Sequence, residues 1–117
     1  KEDEIPPCFL RMKSAAQASK RQLPNAKVLL MDTSLDALLG CLKDPVAVKA
    51  NPVIVVNAGN GHTMASIISN GEIVGMLEHH TRLLSPQKIE RLLVDFANGD
   101  LSDDDVFKDN GHGLFYL

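Results

Sequence analysis

The sequence predicts an α/β domain of the α+β kind: a mixed sheet built around a three-stranded antiparallel meander, with helices packed on it. Three observations lead there. Short apolar runs, rich in β-branched residues, crowd residues 53–79. Asn70-Gly71 lies among them as a two-residue hairpin signal, because both turn positions want positive φ. On either side, apolar residues recur at spacings of three and four, the period of a helix with one buried face. The 117 residues suffice for one small domain. Hydrophobic residues make up 44% but aromatic residues only 4%, with no Trp, so the core must be built from Leu, Ile, Val, Ala and Met.

Each element has its own signal. Pro6 and Pro7 suit the first turn of an opening helix, and Glu2, Asp3 and Glu4 complement its positive end. Ile5, Phe9, Met12 and Ala16 share its face. The run Lys27-Val28-Leu29-Leu30-Met31-Asp32 reads as a buried strand. Thr33 caps a second helix with Asp36 three residues on, and Leu35, Leu38, Leu39 and Leu42 form its buried stripe. Asp44-Pro45 ends it. Residues 46–52 are the expected boundary between a helix–strand–helix segment (1–52) and a strand meander followed by helices (53–117). Strands are expected at 53–56, 64–69 and 72–79. Ser85-Pro86 starts a helix through Ile89, Leu92, Leu93 and Phe96 that Gly99 closes. Ser102 and Asp105 form a capping box before Val106 and Phe107, and 114–117 is a strand stub.

Composition narrows the function. A net charge of -3 argues against a nucleic-acid backbone as partner. No apolar run of about 18 residues and no signal peptide is present, so a cytoplasmic protein with no membrane partner is expected. Cys8 and Cys41 make neither a metal pattern nor a disulfide framework and read as small buried residues in a reducing compartment. The chain opens at Lys1 without Met and reads as the C-terminal part of a longer protein, whose upstream domain is an expected partner.

Two polar clusters carry the candidate chemistry. After the strand at 53–56 comes Asn57-Ala58-Gly59-Asn60-Gly61-His62-Thr63. Its glycines let backbone N–H groups approach an anion, and Asn57, Asn60, His62 and Thr63 add donors. The set Asn57, Gly59, Asn60, Gly61, His62 and Thr63 is therefore the candidate binding loop for a small phosphorylated ligand or nucleotide. It lacks the Gly-Lys-Ser/Thr of a P-loop, and an ordinary hairpin would use the same glycines. Glu78, His79 and His80 are the candidate acid–base residues, since a Glu beside a His tunes a proton donor near neutral pH. Satisfied strand-end histidines are the alternative. Alternation sends His79 to one face and Glu78 and His80 to the other, and the hairpin register brings 62–63 opposite 78–79. No pair among His62, His79, His80 and His112 has i, i+4 helical spacing, so no metal site is expected. Asp103-Asp104-Asp105 is the acidic start of a helix.

Nearly the whole chain resembles the C-terminal part of a prokaryotic family of unknown function whose members carry the label pyruvate formate-lyase activating enzyme. Ile5-Pro6-Pro7, Met31-Asp32-Thr33, Val56 to Thr63, Glu78-His79-His80-Thr81 and Gly111-His112-Gly113 carry the resemblance. The label implies radical chemistry at an iron–sulfur cluster held by Cys-x3-Cys-x2-Cys, a motif this chain does not contain. More distantly, the strand–loop–strand–turn–strand order of 53–79 is similar to the opening of one lobe in the actin-like ATPase and sugar-kinase superfamily, whose sheet is ribonuclease H-like. There an Asp-x-Gly-x-x-x-Thr turn wraps nucleotide phosphates. Asn57, Gly59 and Thr63 match it in kind, with Asn57 standing where that superfamily usually carries Asp. A neutral amide offers no carboxylate to Mg²⁺. The residues themselves name no cofactor; this similarity implies ATP with Mg²⁺ and a phosphate- or nucleotide-binding lobe of an actin-like ATPase or kinase-type protein. A non-catalytic assembly or regulatory domain is the alternative.

Overall fold

The computed structural model describes residues 5–117, so Glu2, Asp3 and Glu4 lie outside the described residues. The chain divides into two compact units, Lys1–Asp32 and Thr33–Leu117. In the first, helix α1 spans Leu10–Gln22, with Lys20 and Arg21 in its last turn. It starts later than expected. The Phe9 N–H donates to the Pro6 carbonyl at 3.0 Å, so Pro6 and Pro7 belong to a turn ahead of the helix. The strand expected over 27–32 does not form: none of its residues is in a strand, and Leu29 and Met31 are 75% and 52% exposed. An apolar run becomes a strand only beside a neighbour that takes up its backbone N–H and C=O groups.

The second unit is the sheet and its helices. Strands β1 (Val53–Ala58), β2 (His62–Ser69), β3 (Glu72–His80) and β4 (Gly113–Tyr116) lie in the order β1-β2-β3-β4. Every pairing is antiparallel, so the expected mixed sheet is corrected to a four-stranded antiparallel one. The meander itself forms as expected, and the C-terminal stub extends it by pairing with β3. Asn70 (φ 53°) and Gly71 (φ 82°) make the tight β2–β3 turn. The Asn51 side chain clamps that turn, accepting from the Asn70 N–H at 2.8 Å and donating to Asn70 Oδ1 at 2.7 Å.

Helices cover the two faces unequally. On one face, α3 (Pro86–Asn98) and α4 (Asp103–Lys108) set Leu92, Phe96 and Val106 against Ala65 and Leu77. Their ends follow the sequence signals: Ser85 accepts from the Lys88 N–H, Gly99 turns left-handed at φ 75°, and Ser102 and Asp105 cap reciprocally. On the other face, the nine-residue helix α2 (Thr33–Cys41) sets Leu38 on Val55, Met64 and Ile68. Helix α2 packs on β1 and β2. Met76 and Phe115, on β3 and β4, remain half-buried and exposed on this second face. Cys41 is half-buried and Cys8 exposed, so Cys8 is not the core residue expected. Among the described residues no helix is long and apolar enough to cross a membrane.

Candidate functional site

The polar loop closes on itself. The Gly59 N–H donates to the His62 carbonyl at 3.0 Å, and the Thr81 N–H donates to the Gly61 carbonyl at 3.0 Å. The Thr81 hydroxyl donates to the Gly59 carbonyl at 2.6 Å. That uses its single proton, so across the 3.0 Å contact between the two threonines Thr63 Oγ1 is the donor. Thr63 is 6% exposed and faces inward, with its hydroxyl spent on Thr81. Neither Gly59 nor Gly61 has positive φ. Their roles nevertheless differ. A Cβ on Gly59 would come within 2.8 Å of the His62 carbonyl oxygen, whereas one on Gly61 would meet nothing within 4 Å. Gly59 is therefore required by the hairpin, and Gly61 opens the loop to solvent beside exposed Asn60 and His62.

Register sorts the remaining candidates by face. Asn57 pairs with Met64, Met64 with Glu78, and His62 with His80. Cross-strand partners share a face, so Asn57, His62, Glu78 and His80 all stand on the side that α2 only partly covers. Glu78 Oε1 lies 3.9 Å from His62 Nδ1, which brings the two expected clusters together at one sheet end. His112 joins them. The His112 ring centroid lies 4.6 Å from that of His62 and 4.3 Å from that of His80, and His62 and His80 are 5.0 Å apart. Burial and the neighbouring His112 and His62 rings hold the His80 imidazole below its ordinary pKa.

His112 reaches this cluster because glycines flank it. Gly111 packs where a Cβ would collide with Val106 and come within 2.8 Å of His79 Cδ2. Gly113, at φ 143°, turns the chain in a region that L side chains rarely adopt. The His112 N–H then donates to the Glu78 carbonyl at 2.9 Å, fixing the turn to β3. Sequence spacing could not find this residue, because the pairing of β4 with β3 joins segments 30 or more positions apart.

His79 faces the other way, as alternation requires, and is 1% exposed. Its Nδ1 donates to the His80 carbonyl at 3.2 Å, and its Nε2 lies 3.2 Å from Asp109 Oδ2. Lys88 Nζ holds the same carboxylate at 2.7 Å. The structure thus separates the three acid–base candidates: Glu78 and His80 stand on the cluster's face, and His79 is a buried strut under it. The Lys88 hydrogen bond, with help from His79, holds the Asp109 carboxyl below its ordinary pKa. A depressed carboxyl pKa adds stability above the unfolded value, and that stability is lost as pH falls through the folded one. Asp109→Asn is therefore expected to be less stable than wild type at pH 6, with the gap closing below about pH 4. Urea unfolding of both proteins across that range checks it; a gap independent of pH would refute the stabilising role of the Asp109 charge.

An open groove of about 260 Å³ begins at this cluster and runs along the uncovered part of the sheet. Glu78 and His112 form its polar end, and Met64, Met76 and Phe115 line its apolar length.

The profile of a family described as "putative pyruvate formate-lyase activating enzyme" matches residues 1–117. The chain belongs to this family. No curated protein and no solved structure matches it. The family's description implies an iron–sulfur cluster, whose ligands are thiolates. The residues do not fit that group: Cys8 and Cys41 are the chain's two cysteines, both are free, and the convergent donors of this family member are imidazoles.

Proposed function

We propose that this domain binds a small phosphorylated ligand of the nucleotide class at the histidine end of its sheet. One observation carries the reading: His62 at the end of the glycine loop, His80, His112 and Glu78 converge at one sheet end, and Glu78 and His112 of this cluster line a groove with an apolar length. Ligand sites are concave and mostly apolar with a few convergent polar groups, and a volume of about 260 Å³ suits a small molecule or one portion of a larger one. The imidazoles and the open Gly61 backbone are donors for phosphate oxygens, and the apolar floor accepts a ring. The similarity to a phosphate-wrapping hairpin of the actin-like superfamily supports the same reading. Glu78 and His80 are the residues of the acid–base set that such a ligand would touch. No reaction is assigned.

Calorimetric titration of the protein with ATP, ADP and inorganic phosphate, with and without Mg²⁺, tests this. Wild type is expected to bind at least one of them. Gly61→Val is expected to weaken binding about tenfold or more, about 1.4 kcal/mol, with an unchanged melting temperature, because its side chain enters open space. Asn57→Asp is expected to raise the dependence on Mg²⁺ by adding a carboxylate on the groove face. If wild type binds none of these ligands, the phosphate reading is lost and a partner-binding regulatory domain becomes the better account. If Gly61→Val binds as wild type does, the ligand sits away from the loop.

A further inference from the structure

We propose that His62, His80 and His112 together bind a divalent transition-metal ion of the zinc class, one imidazole nitrogen each, with Glu78 as the carboxylate partner of His62. The site goes beyond the phosphate reading and does not need it: the ion would be held whether or not a phosphate follows.

The three side chains come from three separate segments, the start of β2, the end of β3 and the turn before β4. Their potential ligand atoms all lie within 4.8 Å of one another. Three such atoms share a point no more than about 2.8 Å from each, 4.8 Å divided by √3, against about 2.0–2.1 Å for a zinc–imidazole bond. Inward movement of each ring by less than about 1 Å therefore completes the coordination. His62 and His112 are exposed and His80 half-buried, so the rings can make that movement without disturbing the core.

The donor type selects the metal. Imidazole nitrogen suits zinc, copper, nickel and cobalt, whereas Mg²⁺ and Ca²⁺ take oxygen ligands. Three protein ligands leave a fourth position, as in zinc sites that bind water or substrate rather than purely structural ones. Here one of the three imidazoles, that of His112, also lines the groove, together with Glu78. Metal-bound imidazoles usually donate their other nitrogen to a carboxylate or carbonyl, and Glu78 Oε1, 3.9 Å from His62 Nδ1, is placed for that role. The backbone also holds the third ligand in place: the His112 N–H is fastened to the Glu78 carbonyl, so the carboxylate partner and the third imidazole move as one piece. The alternative use of such a cluster, stacking for stability, fails on position, since two of its three members are exposed.

The test is titration of untagged, chelator-treated protein with Zn²⁺ and Co²⁺ in phosphate-free buffer. A Cys8→Ser background removes the exposed thiol as a competing ligand. One equivalent of metal is expected, with Co²⁺ giving the intense visible bands of a four-coordinate site and Mg²⁺ giving no binding. His62→Ala, His80→Ala and His112→Ala are each expected to lower Zn²⁺ affinity about a hundredfold or more, and Glu78→Gln about tenfold. Circular dichroism confirms that each variant folds; His112→Asn replaces His112→Ala if that chain does not. Absence of Zn²⁺ and Co²⁺ binding at millimolar metal would overturn the proposal, as would stoichiometric binding that survives all three histidine substitutions. Because the titration contains no phosphate, its failure would leave the phosphate reading standing, and the reverse.

Discussion

Gly111→Val is expected to cost about 3 kcal/mol, the upper range for forcing extra atoms into a packed core. A Cβ at this position would run into Val106, which is fully buried, and come within 2.8 Å of the His79 ring and 2.9 Å of the Val106 carbonyl oxygen. Neither neighbour can yield cheaply. Val106 sits in the helix-covered core, and the His79 ring is held at both nitrogens. The displaced turn also carries His112, so the variant is expected to lose the imidazole cluster along with its stability. Gly40→Ala makes the control. Its Cβ meets nothing within 4 Å, and alanine favours a helix over glycine, so its melting temperature should hold or rise slightly. Denaturant unfolding of both variants checks the contrast. Equal stability for Gly111→Val and wild type would mean that the 109–113 turn is free to move, and the account of how His112 is positioned would fail.

Phe96→Ala is expected to cost about 3–5 kcal/mol, a large part of the stability of a domain of this size. Phe96 is fully buried and is the largest side chain of the helix-covered core. Its ring lies over Gly75, where a Cβ would stand 3.3 Å from it, and 5.4 Å from the Tyr116 ring. Tyr116 in turn donates its hydroxyl to the Phe96 carbonyl at 3.0 Å, tying β4 to α3. Removing the ring opens a void in that core and loosens β4 together. Phe96→Leu, which keeps most of the volume, should lose far less. If the two substitutions cost the same, the ring's fit over Gly75 is not what holds β4.

The contrast between elements shows how much of this was legible from residues alone. Signals that act through the backbone of their own neighbours translated directly. Asn70-Gly71 made its turn, Ser85-Pro86 and Gly99 bounded α3, and Ser102 with Asp105 capped α4. Alternation along β3 correctly parted His79 from Glu78 and His80, because period two is a property of the strand itself. What failed depended on partners distant in sequence. The run at 27–32 has a strand's composition but forms no strand. The sheet lost its expected mixed character with that run and gained β4 in its place. Likewise the convergence of His62, His80 and His112 arises through strand pairing, which spacing along the chain does not record. Thr63 matched a phosphate-wrapping pattern, yet its hydroxyl is committed to Thr81.

The central claim, that ligand engages the histidine face of the sheet end, is tested most directly by long-range proton–nitrogen spectra of the four imidazoles. Spectra of chelator-treated protein are recorded before and after addition of ATP, ADP or inorganic phosphate. The account predicts that the ring nitrogens of His62, His80 and His112 shift with a common saturation curve while those of His79, buried against Asp109, hold still. A response confined to His79, or ligand binding seen by calorimetry with all four imidazoles unmoved, would contradict it.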